Sequence, residues 1–109
     1  MAGYVQVVTT VESREDAYQL AHRLVSEGYA AVVQVNGPLV SIYRHDGVGV
    51  EAQQWQLLLR TVSTHVRVIE QHIRAHKAQD VAEIVVTPIV GGDDEYLKWI
   101  DGQTGGLTQ

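Results

Sequence analysis

Tyr4 and Gln6 alternate with Val5 and Val7, and the β-branched run through Thr10 predicts a first strand. Ser13 offers an N-cap, Glu15 and Asp16 follow in the first turn, and Ala17, Leu20, Ala21, Leu24 and Val25 repeat at helical spacing. That pattern predicts a helix with one apolar face, stopped by Gly28. Extended patterns resume from Tyr29 to Val35 and from Leu39 to Arg44, with Asn36-Gly37-Pro38 between them. They are expected to form one long strand with a bend or bulge at Gly37. Asp46-Gly47, within a turn from His45 to Gly49, is a hairpin signal, and Glu51 to Val62 returns as a third strand most buried around Leu57-Leu58-Leu59. Ser63 or Thr64 caps a second helix with its apolar face on Val66, Ile69 and Ile73, fraying through Ala75 to Ala78. Val81 to Thr87 predicts a fourth strand closed by Pro88. Asp93 or Asp94 then caps a short helix holding Tyr96, Leu97, Trp99 and Ile100.

The order β-α-β-β-α-β plus a short C-terminal helix specifies an α+β, ferredoxin-like sandwich: an antiparallel sheet with two helices on one face. Residues 1–101 are expected to form the domain and 102–109, rich in Gly, a flexible tail. The open face of such a sheet needs cover, and the long central strands point to pairing between chains in a homo-oligomer.

Composition narrows the function. The 109 residues carry a formal net charge of −5, with eight scattered Lys and Arg, which disfavours a nucleic-acid partner. With no Cys, disulfides and thiolate metal sites are excluded. Neither a signal-like N-terminus nor an apolar run long enough to cross a bilayer is visible, so no membrane partner and a cytoplasmic location are expected. The aromatic content of 6% leaves packing to Val, Ala and Leu. Tyr43, Trp55, Tyr96 and Trp99 are read as packing or subunit-interface residues.

Few side chains look reactive. His72 and His76 stand four apart on the second helix, within chelating reach of one ion. Asp80 or Glu83 would complete a nitrogen and oxygen set suited to Zn or Cu(II). No catalytic Glu lies inside the His pair, as a zinc-protease motif requires, and Lys77 opposes a cation. Solvated helix-face histidines therefore remain the competing reading, as does a role for His76 in lining a cleft. Glu83 is either an edge carboxylate in water or a cleft acid that binds a cation or exchanges protons. Arg44 and His45, beside the Asp46-Gly47 turn, are available to an anion or a partner. Thr9 and Thr10 form a hydroxyl pair at the end of the first strand.

VVTT near the start, SEGYAAVVQV after the first helix, SIYRHDG at the hairpin, WQLLLRT, VAEIVVTPIV and EYLKWI recur in an order and spacing that resembles the CutA family of divalent-cation tolerance proteins. The resemblance spans roughly residues 4–100. It implies a ferredoxin-like protomer and a homotrimer whose long hairpin strands pair across subunits, an architecture similar to the PII signalling proteins with their inter-subunit ligand clefts. It also implies a cleft bordered by Thr9, Arg44, His45, Lys77 and Glu83. Departures fall where chemistry would sit. Cysteines of copper-binding members align with Thr9 and Val32, and the family's His-Pro-Tyr-x-x-Pro-Glu aligns with residues 77–83, keeping only Glu83. The Trp of the hairpin turn is replaced by His45, and a commonly basic turn position by Val48.

Three functions stay in play. The first is a homotrimer of metal-ion (copper) response or small-ligand binding, with no certain cofactor and a divalent cation, Cu or Zn, as the candidate. The second is an enzyme reusing the cleft with Glu83 and a His as acid and base, and the third a signalling or structural trimer without ligand. A non-enzymatic role ranks ahead of catalysis.

Overall fold

The computed structural model describes residues 3–76 and 81–105. Its strands are β1 (Tyr4–Val11), β2 (Val32–His45), β3 (Val48–Val62) and β4 (Ile84–Pro88), and its helices α1 (Arg14–Ser26), α2 (Val66–Ala75) and α3 (Asp94–Gln103). The strands form one antiparallel sheet in the order β2-β3-β1-β4. This is the expected ferredoxin-like α+β sandwich.

Alternation places Val5, Val7 and Val11 of β1 and Leu57 and Leu59 of β3 on one face, where Leu20 and Leu24 of α1 and Ile69 and Ile73 of α2 close over them. Burying each such aliphatic side chain contributes about 1.5–3 kcal/mol. Tyr4 and Val62 point to the reverse face, where Leu97 and Ile100 of α3 cover them together with Ala31. The three elements α1, α2 and α3 thus sandwich the sheet end unequally, two helices on one side and one on the other.

Both long helices of the first and last segments are capped as their sequences predict. The Ser13 side chain accepts from the Asp16 N–H, and the Asp93 side chain from the Tyr96 N–H. At α2 the expectation fails, because a short 3-10 turn, Ser63–His65, precedes it and no side chain caps either. The Ser63 hydroxyl instead accepts from the Gly3 backbone N–H at 3.0 Å, tying the turn to the start of the chain.

The Asn36-Gly37-Pro38 break is a register shift inside β2, between Asn36 and Leu39, as foreseen. A Cβ on Gly37 would lie 2.6 Å from the Trp55 ring, so only glycine lets the indole sit against the backbone there. The hairpin turn is tighter than expected. Asp46 and Gly47 both take positive φ, 50° and 79°, in the manner of a two-residue turn, so β3 begins at Val48 rather than Glu51. β2 begins later than predicted, at Val32, and β4 later, at Ile84.

β1 pairs with β3 only as far as Val11 opposite Trp55. Beyond that point Leu39–His45 and Val48–Gln54 pair with each other alone, as a two-stranded arm on a molecule measuring 45 × 25 × 22 Å. At the other end the ordered chain continues past the expected boundary at residue 101. α3 runs to Gln103, Thr104 is buried, and the His65 Nε2 lies 2.6 Å from the Thr104 carbonyl oxygen. Residues 106–109 of the expected tail lie outside the described residues. Among the described residues, no helix is long and apolar enough to cross a membrane.

Candidate functional site

The base of the arm carries a groove of about 500 Å³, where β1, β2, β3 and the segment leading into β4 converge. Its floor is made by two polar residues that the sheet has drawn inward: Thr10 is 4% and Gln54 6% exposed. Both are held by carboxylates. The Thr10 hydroxyl donates to Glu83 Oε1 at 3.3 Å, linking strands 73 residues apart in sequence. The Gln54 Nε2 donates to Glu12 Oε1, also at 3.3 Å. A carboxylate only accepts, so this contact fixes which end of the Gln54 amide is the NH₂. Arg44 and His45 of the arm and Val81 on the far side complete the wall with Tyr43.

Three of the expected cleft residues, Arg44, His45 and Glu83, therefore meet at one groove. Arg44 Nη2 donates to the Gly47 carbonyl oxygen at 3.1 Å, which steadies the guanidinium along the outer arm. His45 Nε2 lies 3.5 Å from the Asp46 carboxylate, an exposed pair. Glu83 stands just before β4 and is exposed except for its bond to Thr10.

Thr9 is a correction. It shares the helix-facing side of β1 with Val5, Val7 and Val11, is fully buried, and does not line the groove; Thr10, on the opposite side, does. The Thr9 hydroxyl has no hydrogen-bond partner among the described residues. Lys77, expected at the cleft, and Asp80, expected as a ligand, lie outside the described residues.

His72 and His76 lie at the end of α2, away from the residues that line the groove. The His72 ring packs against Tyr29 with centroids 5.4 Å apart, and His65 meets the same tyrosine edge-on at 6.1 Å. His76 occupies the C-cap of the helix. No group of three or more His, Cys, Asp or Glu side chains is placed to hold a metal ion among the described residues. The contact of His72 with Tyr29 is a packing role.

Sequence reasoning missed Ser41, Ile42, Tyr43, Gln54 and Val81 as groove residues, and it saw Thr10 only as half of a hydroxyl pair with Thr9, without separating the two. For Thr10 the signal was present: strand alternation from Val5 and Val7 assigns Thr9 to the core side and Thr10 to the other. For Gln54 it was not, because a glutamine among Gln53, Gln54 and Gln56 becomes distinctive only once pairing with Leu39 fixes its face.

Residues 5–103 match the family model described as CutA1 divalent ion tolerance protein. The divalent-cation tolerance protein CutA of Thermus thermophilus is 39% identical over 91% of this chain and 96% of its own. The solved structure of the divalent cation tolerance protein (Cut A1) from the same organism, 38% identical, superposes with a TM-score of 0.89 over 94% of this chain and 99% of that one. The chloroplastic CutA protein of Arabidopsis thaliana is 31% identical over 92% of this chain but only 55% of its own, so this chain spans about half the length of that plant relative. CutA1 from Oryza sativa shares the fold at 29% identity, a TM-score of 0.88, and 93% coverage of both chains. With the family model spanning nearly all of the sheet and all three helices, the chain belongs to the CutA1 divalent ion tolerance family.

Proposed function

We propose that this protein is a homotrimeric binding module of divalent-ion tolerance, which takes a small ligand in the groove at the base of the β2–β3 arm. The observation that carries this reading is the groove itself, a concave site with a buried polar floor of Thr10 and Gln54 and ionisable groups, Glu83, Arg44 and His45, at its walls. Support for assembly comes from the arm. An isolated two-stranded ribbon is marginal in water, and Val40 and Ile42 on this one are mostly exposed in the single chain. Association with two further copies covers those side chains and turns each groove into a seam between subunits.

The divalent-ion role follows the names of the relatives, and a single copy supplies too few donors among its described residues to cage an ion. A cation bound by this protein would then draw ligands from more than one subunit. Copper is a narrower form of the same proposal, and it proceeds here without thiolate, since the chain has no Cys. The expected cytoplasmic location is part of the proposal, and cell fractionation tests it.

Light scattering should report a particle three times 12.0 kDa, and Ile42→Asp should shift it to the single-chain mass with unchanged far-UV circular dichroism. Titration calorimetry with Cu(II) and Zn(II) separates the sites: heat lost in Glu83→Gln assigns the ion to the groove, and heat lost in His76→Ala assigns it to α2. A single-chain mass for the unmodified protein at micromolar concentration would overturn the trimer, and absence of saturable heat would overturn cation binding.

A further inference from the structure

We infer that the groove selects a small zwitterion, an amino-carboxylate whose protonated amine sits on the floor and whose carboxylate meets Arg44 at the outer wall. This inference rests on the groove being the ligand site, and it deepens that reading by naming the chemistry of the ligand.

The floor is rich in acceptors. One Gln54 N–H is taken by Glu12, which leaves the second N–H and the carbonyl oxygen of the amide, and the oxygen is the atom suited to a cation. That oxygen has no hydrogen-bond partner among the described residues, and Gln54 lines the groove at 6% exposure. Glu83 adds a carboxylate that only accepts, and one of its oxygens receives the Thr10 hydroxyl. An ammonium group has three donors and no acceptor, which matches a carboxylate beside an amide oxygen.

The outer wall has the opposite character. Arg44 carries five N–H donors and uses one nitrogen on the Gly47 carbonyl, leaving the rest of its fork for a carboxylate. His45 Nε2 lies 3.5 Å from the exposed Asp46 carboxylate, so Arg44 is the permanently charged donor of this wall. Counting the charged walls of the groove, Glu83 and Arg44 cancel, although the whole chain is at −5. A ligand of one sign would pair with only one of Glu83 and Arg44, whereas a net-neutral ligand with separated charges answers both. A bare divalent cation suits this groove less well, because it meets one carboxylate and is opposed by Arg44.

Calorimetry on the full chain with β-alanine, 4-aminobutanoate and 6-aminohexanoate, against butylamine and butyrate, tests the assignment. At least one amino-carboxylate should bind tenfold or more tightly than either single-charge probe. Glu83→Gln and Arg44→Gln should each remove that advantage, and both sites are exposed enough for the variants to keep the native circular dichroism. Gln54→Leu should weaken butylamine without affecting butyrate. Equal affinity for butyrate, or an amino-carboxylate affinity indifferent to Glu83→Gln, would overturn the zwitterion assignment. If those probes give no heat while Cu(II) or Zn(II) still binds in a Glu83-dependent way, the assignment fails and the groove remains a ligand site. If neither probes nor ions bind, both fall.

Discussion

Leu57, Leu59 and Val62 in the inner half of the β2–β3 hairpin are fully buried, whereas Val40, Ile42 and Val48 in its outer half are 67%, 76% and 63% exposed. One continuous pair of strands joins them, and apolar side chains recur through both halves. The difference lies in what stands alongside. The inner half has β1 as a third strand, with α1 and α2 over Leu57 and Leu59 and α3 over Val62, while the outer half has no third strand. Residue type fixed the tendency to pair, but the length of β1 decided where burial within the chain stops. The groove occupies the boundary between the two regimes, where polar residues are pulled inward without being sealed off.

The sharpest way to break that contrast is truncation on each side of it. Leu59→Ala removes a fully buried side chain from the inner layer and should cost about 3 kcal/mol, lowering the melting temperature by ~10 °C or more at any protein concentration. Ile42→Ala should act differently. In a single chain its exposure makes the change nearly neutral, within about 0.5 kcal/mol. If other copies cover the arm, its melting temperature should fall more at low protein concentration than at high, because association is linked to folding. Scanning calorimetry of both variants over a hundredfold dilution separates the two, and parallel concentration-independent losses would count against an arm buried by assembly.

Gly37 marks the border between the halves. Its missing Cβ is the space into which Trp55 packs, and a methyl group there would come within 2.6 Å of the ring. Since the atom met is the fixed body of an indole and not a flexible chain end, either the ring or the strand must shift. Gly37→Ala should cost about 1–3 kcal/mol, the range for overpacking, and change the near-UV circular dichroism of Trp55. A second Trp at position 99 is exposed and stacked on Tyr96, so its signal serves as an internal reference. An unchanged spectrum with native stability would show that the bulge absorbs the added carbon.

Much of this boundary was legible in the residues. The break at Asn36-Gly37-Pro38, the Asp46-Gly47 turn and the caps at Ser13 and Asp93 all announce local geometry through chemistry that few alternatives satisfy. The groove was only half legible. Arg44 and His45 were visible as residues beside a turn, and Glu83 as a carboxylate leading into an apolar strand. That they face one another depends on β4 returning beside β1, which no local pattern states. The histidine pair shows the same division between local and distant signals. Spacing along α2 was legible, but the contact between His72 and Tyr29, from the loop after α1, depends on how the two helices pack and no local pattern states it.

The smallest expected effect tests whether the inner layer is as uniformly apolar as the comparison requires. Thr9 lies opposite Leu57 on one side and Ile84 on the other, within a run of buried valines, and its hydroxyl is without a partner among the described residues. Such a group forfeits its hydrogen bonds to water without replacing them, a penalty of about 1–3 kcal/mol for a fully orphaned polar atom. Thr9→Val keeps the shape and removes the polar atom, so stability should rise by up to about 1 kcal/mol, with the groove's ligand affinity unchanged. Thr61, equally buried on β3, is the control, because its hydroxyl donates to the Tyr29 carbonyl oxygen. Thr61→Val should destabilise by about 1 kcal/mol or more by leaving that carbonyl unmatched. Denaturant midpoints moving in opposite directions would show that the two threonines differ only in their partners. Loss of stability in Thr9→Val would mean that its hydroxyl is answered in the assembled protein, and that the inner layer is not closed by one chain alone.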